Sequence, residues 1–301
     1  MNILNKIKLI FESPKTVFAI FLNHMGPLIK DDELFLRAKW RLKMGNPLHI
    51  ENPRTFNEKL QWLKLHDRKP IYTTMVDKYE AKKYVANIIG KEHIIPTIAV
   101  YDRVEDIDFD ALPDQFVMKC THDSGGLVIC RDKSKLDKKK ALKKIRKCMH
   151  REYFWQNREW PYKDVKPRII AEQYMVDESG KELKDYKIFC FNGEPRIIQL
   201  DFNRFSEHKK NLYSPDWELL PFGFNYPSHP EINFEKPSKL DEMIELAKRL
   251  SKGMPFLRVD LYWTGEKIYF GELTFFPASG MGKFTSEEWD YTLGSWIKLP
   301  K

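Results

Sequence analysis

Cysteine is scarce and scattered. The 301 residues hold four, at positions 120, 130, 148 and 190, with no Cys-x-x-Cys pair and no Cys/His cluster at zinc spacing. A structural zinc module and a disulfide scaffold are excluded, and free thiols in a reducing cytosol are the expectation. Long apolar runs are missing too. The N-terminal stretch Thr16 to Leu22 follows Glu12, Pro14 and Lys15 and precedes no small-residue cleavage site. It is too short to span a bilayer. It reads as a core helix or, with Lys6, Lys8 and Lys15, as a peripheral helix touching the inner membrane surface. No internal repeat or low-complexity linker is present. Gly-Lys-Ser/Thr is absent, which excludes a Walker loop. No Ser-His-Asp or Cys-His set stands out, and no Asp-x-Asp occurs in a nucleotide-sugar context.

Charge of one sign is in excess, and it is local. Lys and Arg number 51 against 43 Asp and Glu, a difference of +8. Between Asp132 and Arg151 stand ten basic residues and two acidic ones, so this segment alone carries 10 − 2 = +8. Leu136, Leu142, Ile145 and Met149 fall at helical spacing, which predicts an amphipathic helix over 136–150 with a basic outer face. A solvated face is the plainest reading. An acidic polymer or an anionic membrane is the next. No RNP, zinc-finger or helix-turn-helix signature accompanies the lysines, so nucleic acid is not the expected partner.

The pattern of elements argues α+β. Residues 1–72 read as a helical region broken at Gly26-Pro27, Gly45-Asn46-Pro47 and Asn52-Pro53. Thr55 with Glu58 forms a capping box for one helix. A second helix is expected over Thr74 to Ile89, stopped by Gly90. Strands follow at Ile94–Tyr101, Gln115–Cys120, Leu127–Arg131 and Arg168–Tyr174. Asn192-Gly193 is a hairpin turn between strands at Asp185–Asn192 and Pro195–Asp201. A helix beginning at Ser238, capped with Asp241, ends at Gly253. A last pair of strands spans Phe256–Trp263 and Lys267–Thr274.

Two places could carry chemistry. In the run Lys119 to Ile129, two apolar strands are joined through Ser124-Gly125-Gly126. Glycines let consecutive N–H groups converge on an anion, and a lysine leaving the first strand adds a charge. By itself this is as readily an ordinary hairpin. His122, next to it, reads first as a loop hydrogen bond and second as a phosphate contact. The other place is the final hairpin. Arg258 and Asp260 share one face by the period of two, as do Glu272 and Thr274. A three-residue loop at 264–266 would set Arg258 opposite Glu272, and putting Asp260 and Glu272 on one face needs an odd loop or a bulge. Two carboxylates and a guanidinium facing one spot suit Mg²⁺ and its phosphates, or else a surface salt bridge.

Taken in order, Asp77-Lys78, Lys119, the glycine loop, Ala171-Glu172-Gln173-Tyr174-Met175 and Arg-x-Asp…Glu-x-Thr resemble the ATP-grasp superfamily of carboxylate–amine ligases. Asn52-Pro53-Arg54-Thr55-Phe56-Asn57-Glu58-Lys59-Leu60-Gln61-Trp62 looks like the opening signature of its TupA-like group, linked to teichuronopeptide and surface-polysaccharide synthesis. The resemblance covers about residues 35–285. It implies an ATP-grasp fold, two α+β subdomains gripping ATP, over residues 73–290. Within it the lid would span about 92–171 and the metal-binding half about 172–290. It also implies roles. Lys78 and Lys119 would contact ATP phosphates under a loop of Ser124, Gly125 and Gly126. Glu172, Gln173 and Tyr174 would be the hinge at adenine, and Asp177 a ribose contact. Asp260, Glu272 and Thr274 would hold Mg²⁺, with Thr274 in place of the usual Asn. Arg258 would sit near an acyl-phosphate, and Lys187 near the γ-phosphate or the acid.

The expected function is therefore ATP- and Mg²⁺-dependent amide formation between a carboxylate and an amine. The carboxylate would be a uronic acid of a bacterial capsule or other surface polysaccharide, and the enzyme cytoplasmic or at the cytoplasmic face of the membrane. A glycosyltransferase of the same pathway and a non-catalytic binder of anionic polymers are the alternatives. The resemblance leads one to expect a nucleotide-fold domain ahead of the ATP-grasp, and residues 1–72 read as helices instead, so no place for acceptor recognition is implied there.

Overall fold

The computed structural model describes residues 14–300 other than 124, 181–182, 203–208 and 233; Ser124 of the expected phosphate loop lies outside the described residues. Five helices open it: α1 (Pro14–Met25), α2 (Asp32–Met44), α3 (Phe56–His66), α4 (Ile71–Val76) and α5 (Glu80–Ile89). Strands β1 (Thr97–Tyr101), β2 (Phe116–Cys120) and β3 (Val128–Cys130) lead to α6 (Lys138–Met149) and the short α7 (Phe154–Asn157). Then come β4 (Ile169–Gln173), β5 (Asp185–Phe191), β6 (Glu194–Phe202), β7 (Lys209–Tyr213), α8 (Leu240–Ser251), β8 (Phe256–Trp263), β9 (Ile268–Thr274) and α9 (Glu287–Trp296).

Two antiparallel sheets form among the described residues. One has four strands in the order β1-β4-β2-β3, and the other five in the order β7-β6-β5-β8-β9. The smaller sheet packs α6 through Ala141, Ile145 and Cys148, which share a helical face, onto Phe116, Met118 and Cys130. The basic helix is therefore real, but it starts at Lys138. Asp137 caps it by accepting from the Lys140 N–H, which leaves Leu136 outside the helix. β4 runs to Gln173, two residues past the expected subdomain boundary at 171.

The larger sheet divides its faces by the period of two. Leu257, Val259 and Leu261 of β8 join Ile188, Ile198, Leu200 and the buried residues of α5 and α8 in the main core. The opposite face is polar in its middle. The N-terminal helices pack onto the same body. Thr55 and Glu58 form the capping box of α3, and Asn57 bonds Asp290 of α9 through its N–H and its side-chain amide (3.0 and 2.9 Å). In α1, Leu22 is buried but Phe18, Ile20 and Phe21 are exposed, so this helix is not the core helix its composition suggests. No helix among the described residues is long and apolar enough to cross a membrane.

Several elements differ from expectation. The helix expected over Thr74–Ile89 is broken. Asp77 accepts from the N–H groups of Tyr79 and Glu80 (2.8 and 3.2 Å) and so starts α5 anew, leaving Lys78 in the turn between α4 and α5 and not on a helix. α8 begins at Leu240, and Lys239 makes no side-chain cap, so the Ser238–Asp241 capping box does not form. Ile94 stands outside β1 and makes an isolated parallel bridge to Phe270. β7 and α9 were not foreseen.

Candidate active site

The polar face of the larger sheet is set by register. Gln199, Lys187, Asp260 and Glu272 are direct neighbours across β6, β5, β8 and β9. The β8–β9 loop is four residues long, because Trp263 pairs with Ile268. An extra residue, Gly271, then bulges out between Phe270 and Glu272. A Cβ on Gly271 would stand 3.0 Å from both the Asp260 carbonyl and the Tyr262 ring, which keeps the position bare. Even loop plus bulge brings Asp260 and Glu272 to one face, as the chemistry required. The same arithmetic corrects the register: Arg258 lies opposite Thr274, not opposite Glu272.

Arg258 closes this hairpin. It holds Asp260 in two bonds (Nε to Oδ1 2.6 Å, Nη2 to Oδ2 2.7 Å) and reaches Glu272 Oε1 at 3.1 Å and Thr274 Oγ1 at 3.0 Å. Lys187 sits among three aspartates, at 2.8 Å from Asp185, 3.0 Å from Asp260 and 3.8 Å from Asp201. Burial lifts Asp260 to about 6 against the pull of Arg258 and Lys187, with Glu272 adding to the rise. Burial also works to raise Glu272, but Lys78, Arg258 and Lys187 draw it down to about 2. Both cations are held above their ordinary values: burial opposes their charge, and the carboxylates outweigh it.

Lys78 donates to the Asp123 carbonyl at 2.7 Å, so it reaches the glycine loop from the turn before α5. Burial lowers it, while Glu272 holds it up and Lys119 adds to the lowering. Gly125 is exposed with φ +117°, and Gly126 is buried against α6. A Cβ on Gly126 would meet Cys148 Sγ at 2.8 Å, so the loop and that helix touch without room for a side chain. Neither ring nitrogen of buried His122 has a hydrogen-bond partner among the described residues.

The Lys119 ammonium pairs with Glu172 at 2.6 Å, and Lys82 takes the other oxygen of the same carboxylate. Glu172 is therefore buried and side-chain bonded inside β4. Gln173 and Tyr174 line a cleft of about 290 Å³ with Val117, Lys119, Leu127, Met175 and Tyr262. Asp177 is buried, its carboxylate bonded by the Ser179 and Lys184 side chains.

Three groups of residues escaped sequence reading. Asp185 and Asp201 flank Lys187, and a second bulge, in β5–β6, is what sets Asp201 opposite Asp185. Lys82 lies one turn past Lys78, and its position gave no cue. The third group is Glu159, which accepts from Ser279 Oγ at 2.6 Å and from Tyr153 at 3.4 Å. Tyr153 is raised first by Glu159 and then by burial and Glu272, and Glu159 itself feels Arg258, so this cluster adjoins the hairpin. Ala278 and Ser279 hold left-handed backbone (φ 51° and 56°), a costly conformation for residues with a Cβ.

The sequence matches the TupA-like ATP-grasp family over residues 58–298, about four-fifths of the chain. The chain belongs to that family. No curated protein sequence matches it. Solved structures similar in fold include the D-alanine–D-alanine ligase of Bacillus anthracis complexed with ATP (16% identity, TM-score 0.39, 67% of this chain and 53% of that one). The D-alanine–D-alanine ligase of Helicobacter pylori is another (12%, TM-score 0.42, 81% and 69%), as is the VanG D-Ala:D-Ser ligase of Enterococcus faecalis (12%, TM-score 0.41, 67% and 52%). The chain spans about half the length of the first of these.

An ATP-grasp implies Mg²⁺, and the donors present suit a hard cation in kind. Glu272 is held below the ordinary carboxylate range by the cations around it, and 41% of its side chain is exposed. Asp260 adjoins it, with both oxygens now on Arg258 and Lys187. Thr274 spends its hydroxyl oxygen on Arg258 and fits less well.

Proposed function

We propose that this protein is an ATP-dependent carboxylate–amine ligase that makes an amide through an acyl-phosphate. The observation that carries the reading is the Asp260–Glu272 pair on one face, ringed by Arg258, Lys187 and Lys78. In the reaction a substrate carboxylate oxygen attacks the γ-phosphorus and ADP leaves with the bond's electron pair. An amine then adds to the acyl carbon, phosphate leaves, and one proton is lost. Asp260 and Glu272 would hold Mg²⁺, which supplies charge neutralisation of the phosphates. Lys78 steadies the glycine loop over them. Arg258 meets the charge that develops on the transferring group while keeping the two carboxylates in place. Lys119, with Glu172, Gln173, Tyr174 and the apolar wall of the 290 Å³ cleft, receives the nucleotide.

For the acid we propose a uronic acid of a surface polysaccharide or its precursor, acted on at the cytoplasmic side of the membrane. The four-stranded half would be the lid and the five-stranded half the metal-binding half. The test is ATP turnover that requires both a carboxylate and an amine, followed by mass spectrometry of the product. Glu272→Gln should lower turnover by roughly 10²-fold or more while ATP still protects against melting. Unchanged turnover sinks the reading, and protection by UDP-sugars in place of ATP favours the glycosyltransferase.

A further inference from the structure

α6 is built against its own stability. Seven of its twelve residues are basic and none is acidic. Lys138, Lys139 and Lys140 occupy the first turn, where the helix dipole disfavours positive charge. Lys139–Lys143, Lys140–Lys144 and Lys143–Lys147 are like-charged pairs one turn apart. Only Lys138 and Arg146 find acidic partners among the described residues, Asp110 at 3.0 Å and Glu105 at 3.1 Å. The helix persists because Ala141, Ile145 and Cys148 are buried beneath it. A solvated face needs no such uniformity, since alternating signs would serve better.

The charge is also placed. Helical geometry puts Lys140, Lys144 and Lys147 on the flank turned to β3, and Lys139 and Lys143 outward. Lys140 and Lys144 line a groove of about 830 Å³ between α6 and β3, the free edge of the smaller sheet, with Arg131 and Leu127. At its near end Asp132 pairs with Lys135 at 3.0 Å and Asp137 caps α6, so among the described residues the uncompensated charge is that of Lys140 and Lys144. Lys144 reaches across it to the Leu127 carbonyl at 2.6 Å. That edge is therefore interrupted as a template for a peptide strand, and recognition falls to the ammonium groups. At its far end the stripe arrives beside Cys148, on which Gly126 of the glycine loop is seated. Leu127, Ile129 and Arg131 line both this groove and the 290 Å³ cleft.

We infer that the α6–β3 groove is a docking track for a linear acidic carbohydrate, a chain with a carboxylate on each successive ring, and that it leads the chain's end to the glycine loop. Successive stripe lysines stand about 5–6 Å apart, within reach of carboxylates on neighbouring rings. As an acceptor site the track rests on the ligase reading. As a binding site it does not.

The test is anisotropy of a fluorescent galacturonate oligomer titrated with the full chain at low and moderate salt. Binding should weaken with salt. In the triple variant Lys140→Gln/Lys144→Gln/Lys147→Gln it should weaken by roughly threefold to a hundredfold, three surface charge contacts being lost. The outward pair Lys139→Gln/Lys143→Gln should lose much less. Glutamine is a good helix former, so all variants fold, and ATP protection against melting stays as in the unaltered chain. No binding at low salt overturns the proposal, as does equal loss in the outward pair. So does displacement of the oligomer by polyglutamate or duplex DNA at lower charge concentration than by unlabelled galacturonate. ATP protection absent in the unaltered chain while the oligomer binds would count against the ligase reading alone.

Discussion

Changing Glu172 to glutamine isolates one buried charge. The carboxylate is 3% exposed and shared between Lys119 and Lys82. Lys82 is fixed further by the Ile95 carbonyl at 2.8 Å and Thr97 Oγ1 at 2.7 Å, so it cannot follow a lost partner outward. Glutamine keeps the shape but leaves two ammonium groups with one acceptor and no counter-charge. Removing one side of a fully buried pair costs about 3–5 kcal/mol. The lysine side chains are 20% and 12% exposed, so water compensates in part and about 2–3 kcal/mol is expected. In a chain of this size that lowers Tm by roughly 4–6 °C. Its pH dependence is the sharper test. Burial works to raise Glu172, but Lys119 and Lys82 hold it below its ordinary value. A depressed carboxylate stabilises above its unfolded pKa and loses that contribution as pH falls through the folded one. The gap between the two proteins should be constant from neutrality down to about pH 4.5 and close beneath it. Thermal melting followed by circular dichroism across that range reads both. A gap below about 1 °C at neutral pH, or one that narrows well above pH 5, refutes the reasoning.

Asp260, lifted to about 6 without a metal beside it, should make Mg²⁺ affinity weaken as pH falls through that value, because the proton and the cation compete for one carboxylate, while Glu272, drawn down to about 2, does not titrate there. A raised carboxylate favours the fold below its unfolded pKa and loses that contribution as pH rises through about 6, so stability of the metal-free protein should not fall on the acid side as Mg²⁺ affinity does; Mg²⁺ affinity that stays flat across that range, read by calorimetric titration, counts against Asp260 as a ligand. Gly294→Ala should cost about 3 kcal/mol, near 6 °C in Tm, because its Cβ would stand 2.2 Å from the Arg54 carbonyl oxygen and 2.7 Å from the Phe56 nitrogen, backbone that cannot swing aside. A melt within 1 °C of the unaltered chain would show that α9 slides freely on α3.

Much of this was legible in one sequence because the cues were local. The Thr55–Glu58 box, Asn192-Gly193, and Arg258 with Asp260 two residues on each depend on neighbours within a few positions. What failed depends on competition or on counting. Asp77 looks like one more helical residue until its side chain takes the N–H groups of the next turn. The Arg258–Thr274 register turned on a four-residue loop plus a one-residue bulge, and two small integers are not encoded in any periodicity. Glu172 was read for its backbone, and its side chain turned out to matter through Lys82, which lies 90 positions earlier. Tyr153 and Glu159 lie six positions apart but follow no motif, and Ser279 lies 120 positions beyond Glu159, so only the folded structure brings the three together.

Arg158 sets the last consequence. It has no exposed surface, lies over Phe35 at 4.1 Å and Trp155 at 4.8 Å, and bonds the Gly26 and Ile29 carbonyls and Asp32. Among the described residues, the polar partners of its guanidinium all come from positions 26–32, ahead of the family-matched span that starts at 58. A shortened protein trimmed to that span would lose Phe35 together with all three partners, and would open the Arg158 guanidinium and the Trp155 ring beneath it to water. Anyone seeking a minimal working unit would find that the helices before residue 58 behave as a keystone, and that homology marks the wrong place to cut.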